Sequence, residues 1–148
     1  MFSEDLGGVD PVLKIHYLDD AYLKGDPDFT GRSTVPAIAD VTTGAIVQNE
    51  AWDIPRYFVL DWKKYHKENA PDLYPEELRE EIDEWSAFIN KRINAYACGF
   101  ARTQEAFDEG YKLYFEALDQ LEERLSSRRF INGDYITLSD IHLYVALI

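Results

Sequence analysis

The sequence predicts an α+β fold, with a helix, a β-hairpin and a helix ahead of a second half built of helices alone. Three observations lead there. Two short apolar runs, 35–41 and 45–48, are joined by Thr42-Thr43-Gly44, the mark of a hairpin turn. The stretches on either side of them carry apolar residues at steps of three and four. Beyond Asn69-Ala70-Pro71-Asp72, a linker of turn residues, the helical period continues to the last residue. The predicted domains are therefore 1–69 and 70–148.

The elements follow in order. Asp10-Pro11 suits a helix start, since Asp can cap free amides and Pro is tolerated at the first helical position. Val12, Ile15, Leu18 and Tyr22 continue it, and Gly25 supplies a stop. A loop of turn residues, 26–33, leads into the hairpin. The next stretch, 49–66, is helical in pattern but contains Pro55. The helix either begins at Asn49 and kinks, or begins at Asp53 with Pro55 in its first turn.

Pro75-Glu76-Glu77 opens the next helix with its acids against the positive end of the dipole. Its apolar stripe is Leu78, Ile82, Trp85, Ile89, Ile93 and Tyr96, and Gly99 ends it. Thr103 is placed to cap a helix with the stripe Phe107, Tyr111, Tyr114, Leu118, Leu121 and Leu125. A short connector between two such helices implies an antiparallel pair. Thr137 followed by Asp140 forms a capping box, flanked by Ile136 and Ile141 as a hydrophobic staple. The final apolar run reaches Ile148 with no cap or polar tail, so the expectation is a chain interrupted within a helix.

Composition narrows the function. Acidic residues number 28 against 15 basic, a formal net charge of −13. That excess repels phosphate backbones, and nucleic acid is not an expected partner. A membrane span needs about 20 apolar residues in a row, and no run approaches that, so no membrane partner is expected either. Cys98 is the only cysteine, which excludes an intrachain disulfide and makes a cytoplasmic setting the default. His16, His66 and His142 lack metal-ligand spacing, and no metal is expected.

The order of elements resembles the glutathione transferase family, in which part of a thioredoxin-like domain precedes an all-helical domain. FINGDYITLSDIHL resembles that family's helical-domain signature. GRSTVPAIADVTTGAIVQNE, APDLYPEELREEIDEW and YACGFARTQEAFDEGYKLYFEALDQLEERL resemble its Xi class, the glutathionyl-hydroquinone reductases. The resemblance covers nearly the whole chain. It implies a partial thioredoxin-like domain followed by an incomplete helical C-terminal domain, glutathione as co-substrate, a quinone-type small molecule, and a homodimer in the complete protein.

The resemblance also implies a site. It makes Val35-Pro36 a cis bond at the entrance to the hairpin and turns the backbone of Val35 toward the ligand. The N–H and C=O of Val35 would pair with the cysteinyl backbone of glutathione, as an added strand does. Glu50 would meet the γ-glutamyl ammonium, and free amides at a helix start beside Glu50 and Ala51 would meet its carboxylate. Tyr96 matches the class's tyrosine beside Cys-Gly-Phe, whose hydroxyl faces the phenolic oxygen of the substrate. On spacing alone it is the last residue of an apolar stripe, and plain packing stays open.

Two residues depart from the pattern: Ala51 stands where the family has Ser, and Pro55 where it has an ordinary helix former. The nucleophilic cysteine of the class's Cys-Pro-Trp-Ala element is not among these 148 residues. Cys98 occupies a non-catalytic position, and a small residue packed at a helix end explains it. Capping explains Thr137 and Asp140 without chemistry. Glu76, Glu77, Glu80 and Glu81 form a solvated face, and Tyr57, Phe58, Trp62 and Tyr65 are expected in packing between domains. Three functions remain: part of a thiol-dependent reductase, a non-catalytic binding or scaffold module of the same fold, or a split product inactive alone.

Overall fold

The computed structural model describes residues 7–93 and 96–148, with backbone only at 96 and 97. Its elements are α1 (Leu18–Gly25), β1 (Ile38–Ala39), β2 (Ile46–Gln48), α2 (Ile54–Leu60), α3 (Arg79–Arg92), α4 (Tyr96–Gly99), α5 (Gln104–Leu125) and α6 (Leu138–Leu147), with 3-10 turns at Lys63–Tyr65 and Glu76–Leu78. The fold is α+β, as the sequence predicts. The chain divides into two compact units, one ending at Ile54 and the other running Pro55–Ile148.

The first helix is shorter than expected. The Asp10 carboxylate accepts the amides of Val12 and Leu13 at 3.0 and 2.6 Å, which closes a tight turn instead of a helix. Lys14 then adopts φ 58°, a left-handed conformation that no helix passes through. The chain starts again at Leu18, where the amide of Tyr17 donates to Asp20 Oδ2 at 3.1 Å. α1 packs against β2. Gly25 permits this approach, because a Cβ there would lie 3.3 Å from the Ile46 carbonyl oxygen.

The hairpin forms in the predicted place. β1 and β2 pair antiparallel, with Ile38 opposite Gln48 and Ala39 opposite Ile46 across an irregular step. Asp40 organises the turn: its Oδ1 accepts the amides of Thr42 and Thr43 at 2.7 and 3.1 Å, and Gly44 takes the positive φ of 74° that closes it. Those two amides hold the Asp40 carboxyl below the usual carboxylate range.

Of the two alternatives for 49–66, the late start is the one found. Residues 51–53 form a turn, and α2 begins at Ile54 with Pro55 in its first turn, where no intrahelical partner for its missing N–H is needed. α2 itself belongs with the helices, since its Val59 packs on the cluster of Tyr74, Ile82 and Leu138. The compact units accordingly divide at 54/55, ahead of the linker at 69/70.

In the second unit Ile82, Ile89 and Ile93 are fully buried, as their stripe predicts. The long helix expected from 75 to 99 is instead a 3-10 turn, α3 and the short α4. α3 packs chiefly against α6, and the expected contact with α5 is made mainly through α4. The stripe on α5 is met in part: Leu121 is buried and Tyr114, Leu118 and Leu125 are half-buried, while Phe107 and Tyr111 stand 41% and 52% exposed on the outer face. Gly110 and Ala117 are buried as well, and such small side chains allow close helix approach. Phe107, Tyr111 and Phe115 stack along that outer face, with ring centroids 6.2 and 4.5 Å apart.

Thr137 stands at the N-cap of α6 in a capping box with Asp140. Asp140 accepts the amide of Thr137 at 2.8 Å through Oδ2 and the amide of Ile131 at 2.8 Å through Oδ1. The Thr137 hydroxyl, fully buried, also bonds Asn132 at 2.9 Å and Ser139 at 3.0 Å. One carboxylate thus ties the loop before α6 to the helix start. The Leu138 amide donates to Leu73 O at 2.8 Å and fixes the same end to the segment before α3.

Candidate functional site

The hairpin register brings two predicted site segments to one end of the ladder. Ile38 pairs with Gln48, so Val35-Pro36, just ahead of Ile38, and Glu50-Ala51, just past Gln48, lie at the same end. All four residues are exposed. The Val35–Pro36 bond is cis, as expected. Val35 is 75% exposed, and no hydrogen bond among the described residues engages its amide or carbonyl.

The other segment is a loop that satisfies most of its own amides. Gln48 Oε1 accepts from Asn49 and Glu50, each at 2.8 Å. Glu50 Oε1 accepts from Trp52 at 3.2 Å, and the Glu50 carbonyl accepts from Asp53 and Ile54, both at 3.1 Å. Within the described residues the Ala51 amide has no acceptor in the chain. The expected row of free amides at a helix start is thereby corrected to one open amide in a loop. The late start of α2 is the cause. The second Glu50 oxygen is left for a cation.

Between α1 with its following loop and β2 lies a cleft of about 280 Å³, lined by Tyr22, Phe29, Val47, Gln48 and Asn49 among others. Gln48 was not anticipated. A long amide immediately before a turn was the available signal, because such a side chain can fold over the amides that follow it.

The remaining candidates lie in the helical unit. Tyr96 begins α4, but its side chain lies outside the described residues. Cys98 is half-buried in α4. Tyr57, Phe58, Trp62 and Tyr65 are 38–73% exposed. Tyr74, 5% exposed, donates its hydroxyl to Asp83 Oδ2 at 2.7 Å. Burial and the Asp83 carboxylate push its pKa up, while the Arg56 guanidinium opposes them. His142, 6% exposed, is held below the usual histidine range by burial, against the pull of Asp83. The grouping of the buried Tyr74 and His142 about the exposed Asp83 was invisible in the sequence, where its members are scattered over more than sixty positions. Among the described residues, no group of His, Cys, Asp and Glu is placed to hold a metal, and no helix is long and apolar enough to cross a membrane.

Comparison with known proteins places these features in a family. Residues 64–147 match the glutathione S-transferase C-terminal domain. A glutathione transferase from Gordonia bronchialis is 46% identical and superposes with a TM-score of 0.88 over 95% of this chain and 44% of its own. An Xi-class glutathione transferase from Natrialba magadii is 33% identical, with a TM-score of 0.88 over 99% of this chain and 47% of its own. A glutathionyl-hydroquinone reductase of Escherichia coli is 36% identical over 94% of this chain and 43% of its own length. Its glutathione-bound structure superposes with a TM-score of 0.83. The chain spans 43–47% of the length of the curated relatives it matches. The chain belongs to the glutathione S-transferase family, and its structural neighbours include members of the Xi class.

Proposed function

We propose that this chain is the glutathione-holding and substrate-facing part of an enzyme that removes glutathione from glutathionyl-hydroquinones. The observation that carries the reading is the pairing of an unengaged Val35 backbone with an open Ala51 amide and the Glu50 carboxylate at one end of a hairpin. Those three groups match three of the polar parts of glutathione: the cysteinyl peptide, the γ-glutamyl carboxylate and the γ-glutamyl ammonium.

In this proposal a thiolate from a Cys-Pro-Trp-Ala element outside these 148 residues attacks the sulfur of the bound glutathionyl group. The bond from that sulfur to the ring breaks, its electron pair goes to the ring, and a proton completes the hydroquinone. The mixed disulfide left on the enzyme is resolved by a second glutathione, which leaves as glutathione disulfide. Tyr96 would donate to the phenolic oxygen of the substrate. Cys98 sits in α4 and takes no part. The proposed setting is the cytoplasm, and the proposed assembly of the complete protein is a homodimer.

A second reading, a non-catalytic binding module, is favoured by Ala51 in place of the family's Ser and by Pro55, which delays α2. Calorimetric titration of the 148-residue chain with glutathione tests the binding half of both readings. Saturable binding that is lost in Glu50→Ala is expected; no binding by the wild-type chain would remove glutathione from this site.

A further inference from the structure

The backbone ahead of Val35 is held by a side chain from another element. Tyr22, on α1, is 6% exposed and donates its hydroxyl to the Thr34 carbonyl at 2.8 Å. The Thr34 amide points back at the same oxygen at 3.4 Å. One hydroxyl therefore faces both polar groups of the residue before Val35, and the N–H and C=O of Val35 itself are the first that stand open. The ring is fixed in turn. Phe29 packs on it with centroids 4.9 Å apart. Gly31 lets the loop pass over Phe29, since a Cβ there would lie 2.8 Å from that ring. Tyr22 also lines the 280 Å³ cleft that Gln48 and Asn49 close on the other side.

From this geometry we infer that Tyr22 is a positioning residue for glutathione: through Thr34 it sets the Val35 backbone for pairing with the cysteinyl peptide. The inference rests on the glutathione reading above. A buried hydroxyl that spans two backbone groups costs little to keep and restrains the φ and ψ angles on either side of Thr34. Without it the Thr34 carbonyl must find water or another donor, and Val35 is free to turn. The γ-glutamyl end is held by Glu50 and Ala51, which Tyr22 does not touch, so loss of the hydroxyl should affect one end of the ligand and spare the other.

The test is a glutathione titration of the isotopically labelled 148-residue chain, following the amide resonances of Val35 and Ala51. In the wild-type chain both are expected to shift. In Tyr22→Phe, affinity should fall at least fivefold, and the shift of Val35 at saturation should shrink while that of Ala51 persists. A general structural role would diminish both together. Should Tyr22→Phe fail to fold, Tyr22→4-methylphenylalanine fills the space without a donor and should give the same result. Tyr22→4-aminophenylalanine restores a donor and should recover the Val35 response. Wild-type binding that persists within twofold in the donor-free variants, with the Val35 shift intact, would overturn the inference and leave the glutathione reading standing. Absence of any wild-type shift would overturn both.

Discussion

Ala51 shows how much one atom can decide. The family pattern has a serine there, and the methyl group leaves the neighbouring amide open but supplies no hydroxyl. A hydrogen bond to a charged group is worth about 1.5–3 kcal/mol, or roughly tenfold or more in affinity. Ala51→Ser is therefore expected to tighten glutathione binding at least tenfold by calorimetry; an unchanged affinity would mean the ligand carboxylate does not reach this loop. Asp140 makes a structural counterpart. Its two oxygens accept the amides of Thr137 and Ile131, and Asp140→Ala leaves both without an acceptor. A loss of about 1–3 kcal/mol is expected in urea denaturation, and a change under about 0.5 kcal/mol would refute the role. His142 gives a pH signature. Burial lowers its pKa in the folded state, so the unfolded chain takes up the proton more readily. Its contribution to stability is full above the unfolded value of about 6.5 and is lost as pH falls from there through the folded value. The melting temperature of the wild-type chain should drop more between pH 7.5 and 5.5 than that of His142→Gln. Equal drops would show that His142 is not the source.

The elements differ in how far the sequence disclosed them. Where a local pattern and its tertiary setting agree, the reading held: the hairpin with its Thr-Thr-Gly turn, the isoleucine stripe of α3, the Thr103 cap of α5 with its bond from the Ala106 amide at 3.2 Å, and the Thr137–Asp140 box. Misreadings arose where two local rules compete. Asp10-Pro11 has the residues of a helix start, yet the same carboxylate can close a turn on Val12 and Leu13, and the turn prevailed. On α5 the stripe held at Leu121 and, half-buried, at Tyr114, Leu118 and Leu125, but Phe107 and Tyr111 lie outside, because period alone does not say how far along a helix its apolar face is covered. The late start of α2 was one of two alternatives set by Pro55. The consequence for the site, a loop whose amides are mostly closed by Gln48 and Glu50, required side-chain geometry. Ile82 lies at the meeting of α3 with Tyr74 and Leu138. Ile82→Ala should cost about 2–5 kcal/mol, measured by urea denaturation, and a loss below about 1 kcal/mol would show that this cluster is not the core of the helical unit.

Taken whole, the molecule joins a small unit bearing a short hairpin to a larger helical one. The smaller unit carries the proposed ligand contacts at Val35, Glu50 and Ala51, and the larger one carries Tyr96 and the family signature over 64–147. The one cysteine, Cys98, lies half-buried in a four-residue helix, and the proposed reaction takes its thiolate from elsewhere. The account thus separates holding glutathione from reacting with it. The decisive measurement is turnover of a glutathionyl-hydroquinone by the 148-residue chain alone and by the complete protein. The account predicts no turnover by the chain alone and glutathione-dependent release of hydroquinone by the complete protein. Turnover by the chain alone that disappears in Cys98→Ser would contradict it.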